Sequence, residues 1–78
     1  MSPNPAREQV RIQYNTGNEK NAAKLLIIHD AAGNVRYRKE LSSYEGEITV
    51  PLNGWLQGVY IVNIVTGDKA LQGKLLKE

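Results

Sequence analysis

GVYIVNIVTGDKALQGKLLKE, residues Gly58–Glu78, reads as a β-hairpin closing the given sequence. Gly58 to Val65 is dense in β-branched and aromatic residues, which suit a pleated, half-buried surface. Thr66-Gly67-Asp68-Lys69 supplies the turn, with Gly67-Asp68 as a two-residue loop of the kind that wants glycine first. Pairing outward from that loop sets Ile64 opposite Leu71, Val62 opposite Gly73 and Tyr60 opposite Leu75. Side chains alternate along a strand, so these residues share one face, the core side. The other face carries Val65/Ala70, Asn63/Gln72, Ile61/Lys74 and Val59/Leu76 and is mixed in character.

The rest of the chain must complete a core around this hairpin. Seventy-eight residues make one domain, 1–78, with 1–7 as an entry segment. A chain of this size buries only about 60% of the surface its unfolded form exposes, so its stability is marginal. It has no cysteine, hence neither disulfides nor thiolate metal sites. A net charge of +2, with the basic residues scattered among acids, gives no footprint for nucleic acid. No apolar run approaches the ~20 residues of a membrane-spanning helix, so no direct membrane insertion is expected, and no signal peptide opens the sequence. No cofactor is implied.

Working from the start, Ser2-Pro3-Asn4-Pro5-Ala6 is extended, because each proline fixes φ and biases its predecessor. In Glu8–Tyr14, Val10, Ile12 and Tyr14 alternate with Arg11 and Gln13, which predicts a one-sided strand. Asn15–Ala23 is polar, with Gly17-Asn18 as its bend, and Glu19–Lys24 has only a weak helical pattern. Leu25-Leu26-Ile27-Ile28 predicts a central strand buried on both faces. Asp30-Ala31-Ala32-Gly33 then predicts a tight turn. The Asp30 carboxylate would accept from the backbone two and three residues on, and Gly33 would take positive φ. In Asn34–Leu41, Val35, Tyr37 and Leu41 are expected to share a face against Arg36 and Arg38. Glu47–Leu52 points Ile48, Val50 and Leu52 inward, and Pro51 marks an edge strand. Asn53–Gln57 crosses over, with Trp55 or Leu56 plugging one end of the core. The pattern predicts an all-β protein: an antiparallel, immunoglobulin-like β-sandwich of six to seven strands.

Chemistry-bearing residues are sparse. His29 is the only histidine and stands at a strand end, where a structural role outweighs a catalytic or metal-binding one. Ser42-Ser43 has no local base. Glu45 and Glu47 share a face and read as a solvated edge rather than a carboxylate pair. The glycines are scattered, with no phosphate-cradling motif. No enzyme is expected and no catalytic residue is assigned.

Pro3-Asn4-Pro5 before a first strand, Asp30-x-x-Gly33 after an apolar strand, Gly58-Val59-Tyr60-Ile61-Val62 and a closing Lys74-Leu75-Leu76 occur here in order over essentially the whole chain. This set resembles the type A C-terminal sorting domain of proteins exported by the type IX secretion system of Bacteroidetes. The resemblance implies an immunoglobulin-like address on a larger cargo, read by the outer-membrane translocon. It implies as partners the translocon, an outer-membrane shuttle protein and a sortase-like peptidase that removes the domain. Localisation would be secreted or at the cell surface, reached through the periplasm. By the same resemblance Pro3, Asn4 and Pro5 mark the linker junction, and Asp30 and Gly33 define the fold. Gly58, Tyr60 and Lys74, Leu75, Leu76, Lys77 and Glu78 carry or present the signal. Strand addition to the terminal strand supplies a physical rationale, with Val59, Ile61 and Leu76 as its apolar face. The chain departs from the family pattern at Asn34, where a basic residue is common, and in closing on Glu78 after Lys-Leu-Leu-Lys.

The main alternative is an accessory or carbohydrate-binding immunoglobulin-like module of a secreted enzyme, which requires an exposed aromatic platform; Tyr44 and Trp55 are its candidates. Exposed edges at the Pro51 strand or the final strand also offer weak self-association.

Overall fold

A computed structural model describes residues 6–17, 22–67 and 69–78. Its strands, in chain order, are β1 (Gln9–Asn15), β2 (Leu25–Asp30), β3 (Val35–Glu40), β4 (Glu45–Pro51), β5 (Gly58–Val65) and β6 (Ala70–Lys77). β1 and β4 form one antiparallel sheet, and the other has the order β3-β2-β5-β6. That order matches the C′-C-F-G sheet of an immunoglobulin sandwich, with β1 and β4 in the places of B and E. No helix occurs among the described residues. Of the weak helical pattern at Glu19–Lys24, Glu19–Asn21 and Asn18 of the bend lie outside them, and Ala22–Lys24 is not helical.

The core lies between the sheets. Val10 and Ile12 of β1 and Ile48 and Val50 of β4 face Leu26, Ile28, Tyr60, Val62, Ile64 and Leu75 of the larger sheet, all of them buried. The terminal hairpin pairs in the register its alternation predicts: Ile64 with Leu71, Val62 with Gly73 and Tyr60 with Leu75. Its turn is held by the Thr66 amide donating to the Lys69 carbonyl at 2.8 Å and by the Lys69 amide donating to Thr66 Oγ1 at 3.1 Å; Asp68 lies outside the described residues. Trp55, not Leu56, closes the end of the core. Its ring sits 5.0 Å from that of Tyr60, whereas Leu56 is 79% exposed. The Leu56 carbonyl still contributes, accepting the Tyr60 hydroxyl at 2.6 Å. Pro51 is exposed at the end of β4, opposite Gln9, where its missing N–H costs nothing.

Three features depart from the expectations. Leu26 and Ile28 are buried but Leu25 and Ile27 are only half-buried, so β2 is covered on one face rather than two. The uninterrupted apolar run arises because the outer face of this sheet is itself partly apolar. Second, a register shift between Ile28 and His29 breaks the β3 alternation: Ile28 pairs with Tyr37, but His29 pairs with Val35. The extra residue places Val35, 60% exposed, on the outer face beside His29, while Tyr37 packs against the core. Third, the Asp30 carboxylate reaches two and four residues on. Oδ1 accepts from the Ala32 amide at 3.0 Å and the Asn34 amide at 2.9 Å.

The backbone of the β2–β3 turn supplies the remaining bonds, with the Gly33 amide donating to the Asp30 carbonyl at 3.0 Å. Gly33 has φ +93°, a left-handed conformation that strains any residue with a Cβ. Gly33→Ala should therefore lower stability by about 1 kcal/mol in urea denaturation despite the open space around it.

The amide of Asn34 is the leading cause that holds the Asp30 carboxyl below the usual carboxylate value of 3.8. Desolvation, second in size, opposes it, while the Asn34 side chain, the Ala32 amide and the charge of Arg36 add to the lowering. A carboxyl depressed in the folded state stabilises above its unfolded pKa, and the contribution fades as pH falls through the folded value. The wild-type melting temperature should thus fall as pH drops below about 4, and Asp30→Asn should flatten that part of the profile.

Candidate functional site

The two described ends of the domain meet along the outer edge of β6. Ala6 forms a parallel bridge with Lys77. Its amide donates to the Leu76 carbonyl and its carbonyl accepts the Glu78 amide, both at 2.8 Å. The Ala6 methyl is fully buried, so the entry segment is packed as well as hydrogen-bonded. Arg7 Nε also donates to Glu78 Oε2 at 3.2 Å. These side chains are largely solvent-exposed, so that ion pair is worth little beside the backbone bonds, about 0–1 kcal/mol before screening by salt.

Each candidate recognition residue has a definite place in this arrangement. Gly58 opens β5 opposite Lys77, with φ +147°, so glycine here answers a backbone requirement. Tyr60 and Leu75 face each other inside the core, 4% and 0% exposed. Leu76 points to the outer face, 42% exposed, and Lys74 and Glu78 are exposed beside it. Lys77 is half-buried, and its ammonium donates to the Glu78 carbonyl. Asp30 and Gly33 lie in the β2–β3 turn; Pro3, Asn4 and Pro5 lie outside the described residues. The expectation that the terminal strand offers its edge for addition needs correcting at its far end. There the edge is already taken by Ala6. Nothing in the sequence marked Ala6 or Arg7 for this role, because a single parallel bridge leaves no periodic pattern.

The tie makes a direct prediction. The Glu78 amide should exchange with deuterium slowly while Ala6 is docked, and fast once residues 1–7 are removed. Amide exchange read by NMR checks it.

Elsewhere, Glu45 and Glu47 do share a face, each carboxylate accepting a side-chain amide across the sheet: Asn15 Nδ2 to Glu45 and Gln13 Nε2 to Glu47, both at 3.3 Å. His29 Nδ1 lies 3.0 Å from the Asp30 carbonyl on the outer face of β2. Among the described residues no three His, Asp or Glu side chains converge as a metal site would require. No helix among them is long and apolar enough to cross a membrane.

The fold and its joined ends define a small immunoglobulin-type β-sandwich. A family described as the secretion system C-terminal sorting domain matches residues 1–78, and the chain belongs to that family. It is a sorting domain of type IX secretion, the address of a cargo exported to the cell surface or beyond. No curated protein and no solved structure matches it.

Proposed function

We propose that the domain acts as a folded, non-catalytic export address whose recognition surface is centred on the chain end, Leu76–Glu78, together with the entry segment docked on it. The observation that carries this reading is the pair of backbone hydrogen bonds joining Ala6 to Leu76 and Glu78. They support the reading because the entry segment, where the family resemblance would attach the cargo, is bonded to the terminal residues that the same resemblance singles out. Tyr60 and Leu75 then present the signal indirectly, by seating the last hairpin on the core. On this reading the outer-membrane translocon and its shuttle protein bind the domain, and a sortase-like peptidase cuts at or before the entry segment. Cleavage ahead of Ala6 leaves the tie intact, so the released domain stays folded.

Trp55 is half-buried against Tyr60, and Tyr44 is half-buried too, which weighs against a carbohydrate platform. The proposal is tested by deleting Lys77 and Glu78 from a fluorescent cargo fusion carrying the domain. That removes one backbone partner of Ala6, its bridge to Lys77, the terminal Gly58–Lys77 pair and the salt bridge, but no core side chain. Loss of export from a protein that keeps a cooperative thermal transition, with only a small drop in melting temperature, is expected. Undiminished export would contradict the assignment of the chain end.

A further inference from the structure

The smaller sheet has two strands against four, and one side of the sandwich is open between β1 and the terminal hairpin. The bonds at the ends of β1 fix which of its backbone groups face that side. The Leu52 amide donates to the Glu8 carbonyl, and the Thr16 amide donates to the Tyr44 carbonyl. In the antiparallel register Val10, Ile12 and Tyr14 therefore bond to β4 as well. Gln9, Arg11, Gln13 and Asn15 turn their backbone N–H and C=O groups the other way, where no described residue bonds them. An immunoglobulin sandwich seats its first strand on this edge. Beside the edge, a groove of about 310 Å³ opens into the core. Ile12, Val62, Ile64 and Leu71 line it, Gln13 and Asn15 stand at its rim, and no charged residue contributes to its wall. Leu71 shares the core side with Ile64 yet is 37% exposed, so core-side apolar surface is open to solvent there. The other edges are guarded. β3 carries Arg36, Arg38, Lys39 and Glu40, and β4 carries Glu45, Glu47 and Pro51, the charges and proline that deter strand pairing, whereas β1 has a single charge, Arg11.

A run of unbonded backbone groups beside an apolar groove suits one kind of ligand, an extended segment. Its backbone would continue the smaller sheet, and every second side chain would enter the groove. That double requirement separates the possible occupants. A second folded copy can pair at an edge, but the inward side chains of its strands already fill its own core, so the groove would stay empty. The entry segment Ser2-Pro3-Asn4-Pro5 has no valine, leucine, isoleucine or aromatic residue, and its two prolines have no N–H to donate. A lipid chain has no hydrogen bonds to give the edge. A segment of another protein that is not folded into a core of its own satisfies both requirements.

We propose that the β1 edge and its groove bind an extended segment from a protein of the export apparatus, one with uncharged apolar residues at alternate positions. The inference rests on the sorting-signal reading and extends it, since it adds a contact away from Leu76–Glu78.

Two measurements test it. The first compares export of fluorescent fusions carrying the intact domain, Gln13→Pro, Leu71→Thr or Thr49→Pro. Gln13→Pro removes an outward N–H without breaking a bond to β4. Thr49→Pro makes the same change on the outward edge of β4, which already carries Pro51. Leu71→Thr takes apolar surface from the groove and keeps strand preference. Gln13→Pro and Leu71→Thr should each lose export about tenfold, equivalent to about 1.4 kcal/mol of binding, while keeping a cooperative thermal transition. Thr49→Pro should export normally. Normal export of either β1-side variant in folded form overturns the docking site and leaves the sorting reading standing. An equal loss for Thr49→Pro also overturns it, because strain in the smaller sheet would then be the cause. Retention of the intact fusion defeats the sorting reading and the docking site together. The second measurement uses the unaltered domain, so folding of a variant does not enter. Amide exchange is followed by NMR with an excess of a capped synthetic heptapeptide alternating valine and threonine. The Arg11, Gln13 and Asn15 amides should exchange about tenfold more slowly, with the Glu47 and Thr49 amides unchanged. Slowing on both edges, or on neither, overturns the site. Dimerisation of the domain that Gln13→Pro abolishes would assign the edge to a second copy and overturn a partner segment.

Discussion

Leu75→Ala should unfold much of the domain, whereas Leu76→Ala, one residue on, should barely affect it. Leu75 is fully buried between Tyr60 and the opposite sheet, and truncating such a leucine costs about 2–5 kcal/mol. A domain of this length has roughly 4–12 kcal/mol in total, at about 0.05–0.15 kcal/mol per residue, and its small core puts it toward the lower end. Leu76 projects from the outer face, where a substitution typically changes stability by about 0.5 kcal/mol. Urea denaturation followed by the fluorescence of the single Trp55, packed at a tilt against Tyr60, reads both variants. Export then separates the roles. Leu75→Ala loses export because the address unfolds, and Leu76→Ala loses it while folded because the address is altered.

A truncation after Gly73 should be as severe. It removes Leu75 from the core, the second half of β6 and both backbone partners of Ala6. Tyr60 loses its cross-strand partner and Gly58–Ile61 of β5 become a bare edge, open to pairing with other chains. The shortened protein should lose the cooperative thermal transition of the full chain and show aggregation. A cooperative transition close to that of the intact domain would refute the placement of Leu75 in the core. Because of this collapse, lost export after such a truncation says nothing about the signal. Deletion of Lys77 and Glu78 alone is the informative cut.

Much of the fold was legible because one face of each inner strand alternates cleanly. Val10 and Ile12, Ile48 and Val50, and Tyr60, Val62 and Ile64 each carry the period of a half-buried strand, and each is buried as that period requires. The terminal hairpin was legible down to its register, because a two-residue loop leaves no freedom in the pairing. Where the reading failed, something non-periodic intervened. The shift at Ile28/His29 reverses the face of Val35 relative to Tyr37, and no residue in β3 announces it. The run Leu25–Ile28 looked doubly buried because sequence alone cannot distinguish a covered face from an apolar face left open. In the candidate site, the importance of the chain end was carried by family resemblance, whereas its tie to Ala6 and Arg7 was invisible. That contact spans 71 positions from Arg7 to Glu78 and involves backbone groups common to every residue.

The most direct measurement is transplantation. Residues 1–78, preceded by their natural linker, are fused behind a fluorescent protein with a signal peptide and produced in a bacterium with a working type IX system. Cells are then fractionated. Fluorescence on the cell surface or in the medium, lost when the translocon is disabled, is the expected result. Retention of a folded, intact fusion in the periplasm would contradict the proposal that this domain is a sufficient export address.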